Sequence, residues 1–411
     1  MAIMISRLMV ISITLLGLAV AAPASQRQAA QKKSPAATAT KAPAARQSAE
    51  FTKLAKQADA AREAGRLEDA IKLYNQALQL NHKWAEGWWY LGSIFYDRDR
   101  YGEASEALKL LLSLQRENGP AWALLGLCEF QLRNYKEALA DILNGKQLGL
   151  GGNKEFINVA RYHGSILLTR NGQFEIAFEE LRPFAREGNE SLTVIEAFGL
   201  NILRLPLLPA EAPPDKRELV LLAGRAAWYQ AARHPQEAER AYKELLARYP
   251  EVPNANYAYG VFQLIDTPDA ALDSFRRELQ VKPDNVPAML QIAFEYIKRN
   301  DYEQGLPFAQ KAVEAAPEFF ATHNALGRVL LEMGKIHEAI RELETGVKQA
   351  PDSPEMRFAL ARAYAKAGRS EDARREREIF LQLDKERREL REGMQSTGGV
   401  DGKPTDKNPP R

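Results

Sequence analysis

The side chains best suited to catalysis or metal binding are sparse in this chain and poorly spaced for either. The five histidines are His82, His163, His234, His323 and His337, and none pairs with another at the i, i+4 spacing that would put two imidazoles on one helix face. Cys128 is the only cysteine, so neither an intramolecular disulfide nor a thiolate zinc site can form. It lies in the apolar run Trp122 to Phe130, which predicts a small buried hydrophobe and an unreactive thiol. The stretch Gly149-Leu150-Gly151-Gly152-Asn153-Lys154 glances at a phosphate loop. It lacks the G-x-x-x-x-G-K-S/T spacing, and no strand pattern precedes it to aim backbone amides at a phosphate. No G-x-S-x-G nucleophile elbow occurs. The many acidic residues alternate with Lys and Arg, the pattern of a solvated helix face, and nothing points to a converging carboxylate pair. These residues predict no enzyme, no cofactor, no metal and no small-molecule substrate.

Composition agrees with a soluble helical protein. Of 411 residues, 45% are hydrophobic and 27% charged, and Ala, Leu, Glu, Arg and Lys, all good helix formers, abound. The net charge is only +2, from 56 basic and 54 acidic residues, which argues against nucleic acid as the partner.

The chain opens MAIMISRLMVISITLLGLAVAAPASQ. Arg7 precedes an apolar core from Leu8 to Val20, and Ala19-Val20-Ala21 and Ala22-Pro23-Ala24 place small residues at A-x-A spacing. That is the pattern of a secretory signal peptide over 1–24, with an apolar core shorter than the roughly 20 residues of a membrane span. Export to the periplasm or beyond is expected, and an uncleaved membrane anchor is the rival. Residues 25–49 are rich in Ala, Gln, Thr, Ser and Pro and carry Arg27, Lys32, Lys33, Lys41 and Arg46 with no acid. They predict a disordered basic linker, able to touch an anionic envelope surface. Residues 393–411, rich in Gly, Pro, Lys and Asp, predict a disordered tail.

Between the ends the chain repeats itself every 34 residues. Ala70, Ala104 and Ala138 keep this step, as do Trp88 and Trp122, Gly92 and Gly126, and Tyr101 and Tyr135. Pro283, Pro317 and Pro351 keep it later, with Gly334 and Gly368, and Ala339 and Ala373. Each period reads as two helices. Trp88, Leu91, Gly92 and Phe95 form one apolar stripe at i, i+3, i+4, i+7, and Tyr101, Ala104, Leu108 and Leu111 form the next. Small residues at Gly92 and Ala104 let two backbones approach, and bulky neighbours fill the flanks. One such hairpin cannot bury its own apolar faces, so neighbours must stack.

This pattern resembles the tetratricopeptide repeat family. The motif reads Trp88-Trp89-Tyr90-Leu91-Gly92, then Trp122-Ala123-Leu124-Leu125-Gly126, and late in the chain His323-Asn324-Ala325-Leu326-Gly327 with Gly334, Ala339 and Pro351. The resemblance implies an all-α, right-handed superhelical solenoid of stacked antiparallel helix pairs. About nine units are expected, in a first array over 50–188 and a second over 218–392. Ser191 to Leu205 reads as a helix without an obvious partner, and Pro206, Pro209, Pro213 and Pro214 forbid its continuation. An irregular break is therefore expected over 189–217, separating two lobes. The charged helix from about Asp372 to Glu392 is expected to cap the array.

The resemblance also implies where a partner would lie, since family arrays line their concave groove with the first helix of each pair. Carried onto this sequence, groove positions include Trp89, Tyr96, Phe130 and Tyr162 in the first array and Phe294, Arg328 and Arg362 in the second. Packing positions include Trp88, Gly92, Ala104, Trp122, Gly126, Ala138, Gly327, Ala339 and Ala373. The Lys/Asn clamp of chaperone-binding members is absent, because its positions hold Ala55, Asp59, Trp89 and Ser93. The expected function is a non-catalytic protein-interaction scaffold of the envelope that binds protein or peptide segments. A glycan-binding module is the alternative, since exposed rings can stack on sugars, and an RNA-binding helical repeat follows behind it.

Overall fold

The structure, a computed structural model, describes residues 41–398, with side chains from 46 to 389. The expected signal peptide, the linker as far as residue 40 and residues 399–411 lie outside the described residues. The described residues form α-helices joined by short turns, with no strand among them. The chain divides into two compact units, Met1–Gly164 and Ser165–Arg411.

The first unit holds α1 (Lys41–Glu63), α2 (Leu67–Leu80), α3 (Ala85–Asp97), α4 (Tyr101–Leu114), α5 (Gly119–Gln131), α6 (Tyr135–Leu148) and the start of α7 (Lys154–Arg170). α1 packs on α2, α3 on α4 and α5 on α6, each an antiparallel pair. The packing positions expected from the sequence carry the crossings. Ala104 and Ala138 are fully buried. A Cβ added at Gly92 would lie 2.8 Å from Leu108 Cγ, and one at Gly126 would lie 2.7 Å from Ile142 Cγ1. Trp88 and Trp122 are half-buried and donate their indole N–H groups to the carbonyls of His82 (2.9 Å) and Arg116 (2.8 Å).

The second unit continues with α8 (Phe174–Arg186), α9 (Leu192–Ile202), α10 (Arg217–Ala232), α11 (Pro235–Arg248), α12 (Ala255–Gln263) and α13 (Pro268–Val281). It closes with α14 (Val286–Lys298), α15 (Tyr302–Ala315), α16 (Phe320–Glu332), α17 (Ile336–Gln349), α18 (Pro354–Lys366) and α19 (Ser370–Gly398). Gly327 meets Leu343, Ala339 is fully buried and Ala373 is 9% exposed, so the late repeats pack as the early ones do. Several first helices begin on a side-chain cap. Asn118, Asn285 and Ser353 accept from the amides of Ala121, Ala288 and Met356, each with a proline in the first turn.

Turns within several pairs share one conformation. Gly65, Asp99 and Arg133, spaced by 34, all have φ between 59° and 72°. Asn300, Gly334 and Gly368 keep the same step, with φ between 57° and 77°. Only glycine takes this left-handed region without penalty, and Asp and Asn tolerate it better than Arg. The turn therefore recurs even where its sequence marker does not.

Three boundaries differ from the sequence reading. First, α1 begins at Lys41, inside the stretch expected to be linker. Ala, Arg, Gln and Glu make up residues 44–50 apart from Ser48, and a helix anchored downstream gains one hydrogen bond for each residue it adds. Second, α19 continues through 393–398 into the expected tail, past its own i, i+4 ion pairs Asp384–Arg388 (3.0 Å) and Lys385–Glu389 (3.7 Å). Third, the helix that the sequence left unpartnered, α9, packs closely on α10. A Cβ at Gly199 would lie 1.9 Å from Val220 O, and one at Gly224 would lie 2.0 Å from Ile195 O, so two glycines let the backbones touch. The prolines between them form two short 3-10 turns, Pro209–Glu211 and Pro214–Lys216, and the stretch 189–217 lies within the second unit. Asn254 Nδ2 donates to Leu203 O at 2.9 Å and ties the end of α9 to the start of α12.

Candidate functional site

In the first unit the expected groove residues sit on the first helices of successive pairs. Trp89, Tyr96, Phe130 and Tyr162 are all half-buried. Tyr96, near the end of α3, meets Tyr101 at the start of α4 edge-on, with centroids 5.6 Å apart. One repeat later Phe130 meets Tyr135 at the same 5.6 Å. The ring three residues before the left-handed residue thus meets the first residue of the next helix, in both pairs. Burial, followed by the proximity of Cys128, pushes the Tyr96 phenol up to about 12. Cys128 itself is fully buried and its thiol is pushed up to about 12 by burial, which leaves it unreactive.

The structure brings Phe130 and Tyr162 together through a residue that sequence reasoning had counted only among scattered histidines. His163 lies edge-on to Phe130, with centroids 4.7 Å apart, and to Tyr162 at 5.4 Å. Its Nδ1 is 2.8 Å from Val159 O, and a carbonyl only accepts, so Nδ1 carries the proton. Burial pulls His163 below the ordinary imidazole range, which keeps the ring neutral near pH 7. Trp89 stands apart from this trio, and its carbonyl accepts from Ser93 Oγ at 2.9 Å.

In the second unit the three expected groove residues do converge. α14 contributes Phe294, α16 contributes Arg328 and α18 contributes Arg362. The Arg328 guanidinium lies over the Phe294 ring, 5.5 Å from its centroid. Arg362 donates to Glu332 at 2.6 Å, and Lys366 donates to the other oxygen of the same carboxylate at 3.1 Å. Burial opposes charge on Glu332, but the hydrogen bonds from Lys366 and Arg362 hold it below the ordinary carboxylate range. Glu332 and Lys366 complete a cluster of which the sequence had picked out Arg328 and Arg362. Their signal was the i, i+4 step along each helix. Lys298, four residues after Phe294 on α14, pairs with Glu295 at 3.6 Å on its own helix.

Among the described residues no three His, Cys, Asp or Glu side chains stand where they could hold a metal ion together. What the two faces offer is aromatic surface in one unit, and in the other a guanidinium over a ring beside two cations that share a carboxylate.

Stacked antiparallel helix pairs carrying such faces define a helical-repeat protein of the binding kind. A family model described as tetratricopeptide repeat matches residues 221–286 and 324–376, and one described as TPR repeat matches 58–97. Those stretches of the chain read as tetratricopeptide repeats. No curated protein matches it. Solved structures similar to it include a MamA double mutant (RS-1 ArsTM), 18% identical, covering 41% of this chain and 96% of that one at a TM-score of 0.38. A second is MamA 41-end from Desulfovibrio magneticus RS-1, 21% identical, covering 42% and 96% at 0.36. A third is YrrB, described as a TPR protein with an unusual peptide-binding site, 19% identical, covering 38% and 82% at 0.34.

Proposed function

We propose that this protein is a non-catalytic scaffold of the periplasm or cell envelope that holds segments of partner proteins on the first-helix faces of its repeats. The observation that carries the reading is the Phe130–His163–Tyr162 row, three half-buried rings on consecutive first helices. Rings of this kind supply large, stiff contact area and serve as anchors in protein interfaces. A neutral His163 suits the same role, since it adds no charge to be desolvated. Export is motivated by the basic start, short apolar core and small residues of 1–24.

A crosslinked pull-down from envelope extract tests the binding face. The bait is the chain from Ser25, beside a Trp89→Ala/Tyr162→Ala variant whose melting curve confirms that it is folded. Partners lost by the variant support the reading, and identical capture removes the aromatic face from consideration. N-terminal sequencing of fractionated protein tests the location. A processed chain beginning near Ser25 outside the cytosol is expected, and unprocessed chain in the cytosol overturns export.

A further inference from the structure

Three cations and one carboxylate make up the charged cluster of the second unit, and they are not evenly matched. Arg362 and Lys366 share Glu332, whereas Arg328 has no hydrogen bond or ion pair to any carboxylate among the described residues. Arg328 is half-buried. Its guanidinium carries five N–H donors, and the Phe294 face beneath it accepts none of them as a hydrogen bond would. Burial first, and then the charge of Arg362, pull Arg328 below the ordinary guanidinium range. Withdrawing an unpaired guanidinium from water costs stability. Costs of that kind are retained at working surfaces.

A second, independent orphan lies one turn away. Asn324 precedes Arg328 by four residues on α16, so both sit on the same helix face. Asn324 is only 8% exposed, and its Oδ1 is shielded from solvent with no hydrogen-bond donor among the described residues. One turn of helix therefore holds an unmatched, half-buried donor group and a shielded acceptor without a donor. The complement to the donor is an anionic acceptor, and a peptide segment with acidic side chains supplies several of them along one chain. Arg328 and Arg362 stand on successive first helices, which suits more than one carboxylate and so favours a run of Asp or Glu over a single chain terminus.

We propose that the α14–α16–α18 face binds acidic protein segments, with Arg328 and Arg362 taking side-chain carboxylates. This deepens the scaffold reading and rests on it only in that the partner is a protein. The residues are different and belong to the other unit.

The test is a phage-displayed library of short random peptides selected on the full chain and on Arg328→Gln. Selection on the unaltered chain should enrich Asp and Glu, and the enrichment should vanish on the variant. A selected peptide, synthesised with both ends blocked, should bind Arg328→Gln roughly tenfold more weakly and lose affinity as salt rises. It should bind Trp89→Ala as tightly as the unaltered chain, which separates failure here from failure of the aromatic face. Arg328→Leu should abolish binding yet melt at a higher temperature, because it removes an unpaired guanidinium. The proposal is overturned if no acidic enrichment emerges, if Arg328→Gln retains full affinity, or if the peptide binds only with a free C-terminal carboxylate. It is also overturned if inorganic phosphate displaces the peptide where glutarate does not, or if Arg328→Leu melts lower, since Arg328 would then serve the fold.

Discussion

The indole N–H of Trp122 donates to the backbone carbonyl of Arg116, six residues before it, at 2.8 Å. Trp88 does the same to His82 at 2.9 Å. At the equivalent place in later repeats His323 Nε2 lies 2.7 Å from Pro317 O, and Arg357 Nε donates to Pro351 O at 2.9 Å. Three residue types thus make one clasp. It ties the first turn of each of these four helices to the loop before it, where backbone carbonyls lack helical partners. Trp122→Phe keeps a ring and loses the donor. It should cost about 0.5–1.5 kcal/mol, the worth of one such bond, read as a lower midpoint in urea. An unchanged midpoint would assign the position to ring packing alone.

The α9–α10 crossing brings two backbones into close approach, and two glycines make it possible. Gly199→Ala and Gly224→Ala each place a methyl within about 2 Å of a carbonyl oxygen, so each should destabilise by about 1–3 kcal/mol or more. Their effects should fall short of additive, because the first methyl already forces the helices apart. Gly102→Ala is the control. Its added Cβ meets nothing within 4 Å, and the variant should not destabilise. Urea melts of the two single variants, the double variant and the control check all of this. A full-cost sum in the double variant would show that the helices do not separate as one body.

Asp141 on α6 supplies a pH test. Burial, with a smaller push from the Glu129 carboxylate and an opposing pull from Lys109, raises it to about 6. The folded state therefore holds this proton more tightly than the unfolded chain, whose carboxyl titrates near roughly 3.9. By linkage, the stability it contributes is complete below about pH 4 and is lost as pH rises through about 6. Asp141→Asn removes the charge, so it should raise the melting temperature at pH 7.5 and bring no gain at pH 4. A gain of equal size at both values would mean that Asp141 is not the group responsible.

The sequence by itself determined the helical repeat and its register, because both are local. Apolar residues at i, i+3, i+4, i+7 and small residues at fixed steps recur wherever one helix must cross the next, and Gly92, Ala104, Gly327 and Ala339 pack where their spacing placed them. Tertiary structure decided what depends on distances between segments. Gly199 and Gly224 stand off the 34-residue step, so no periodicity announced that α9 and α10 pair. Asp99, Arg133 and Asn300 take the left-handed turn without a glycine to mark it, because the two helices they join must close. His163 looked like one of five scattered histidines until helix stacking set it between Phe130 and Tyr162. Glu332 pairs with Arg362 and Lys366 and leaves Arg328 over Phe294, and only the side-chain geometry of three helices could sort those charges.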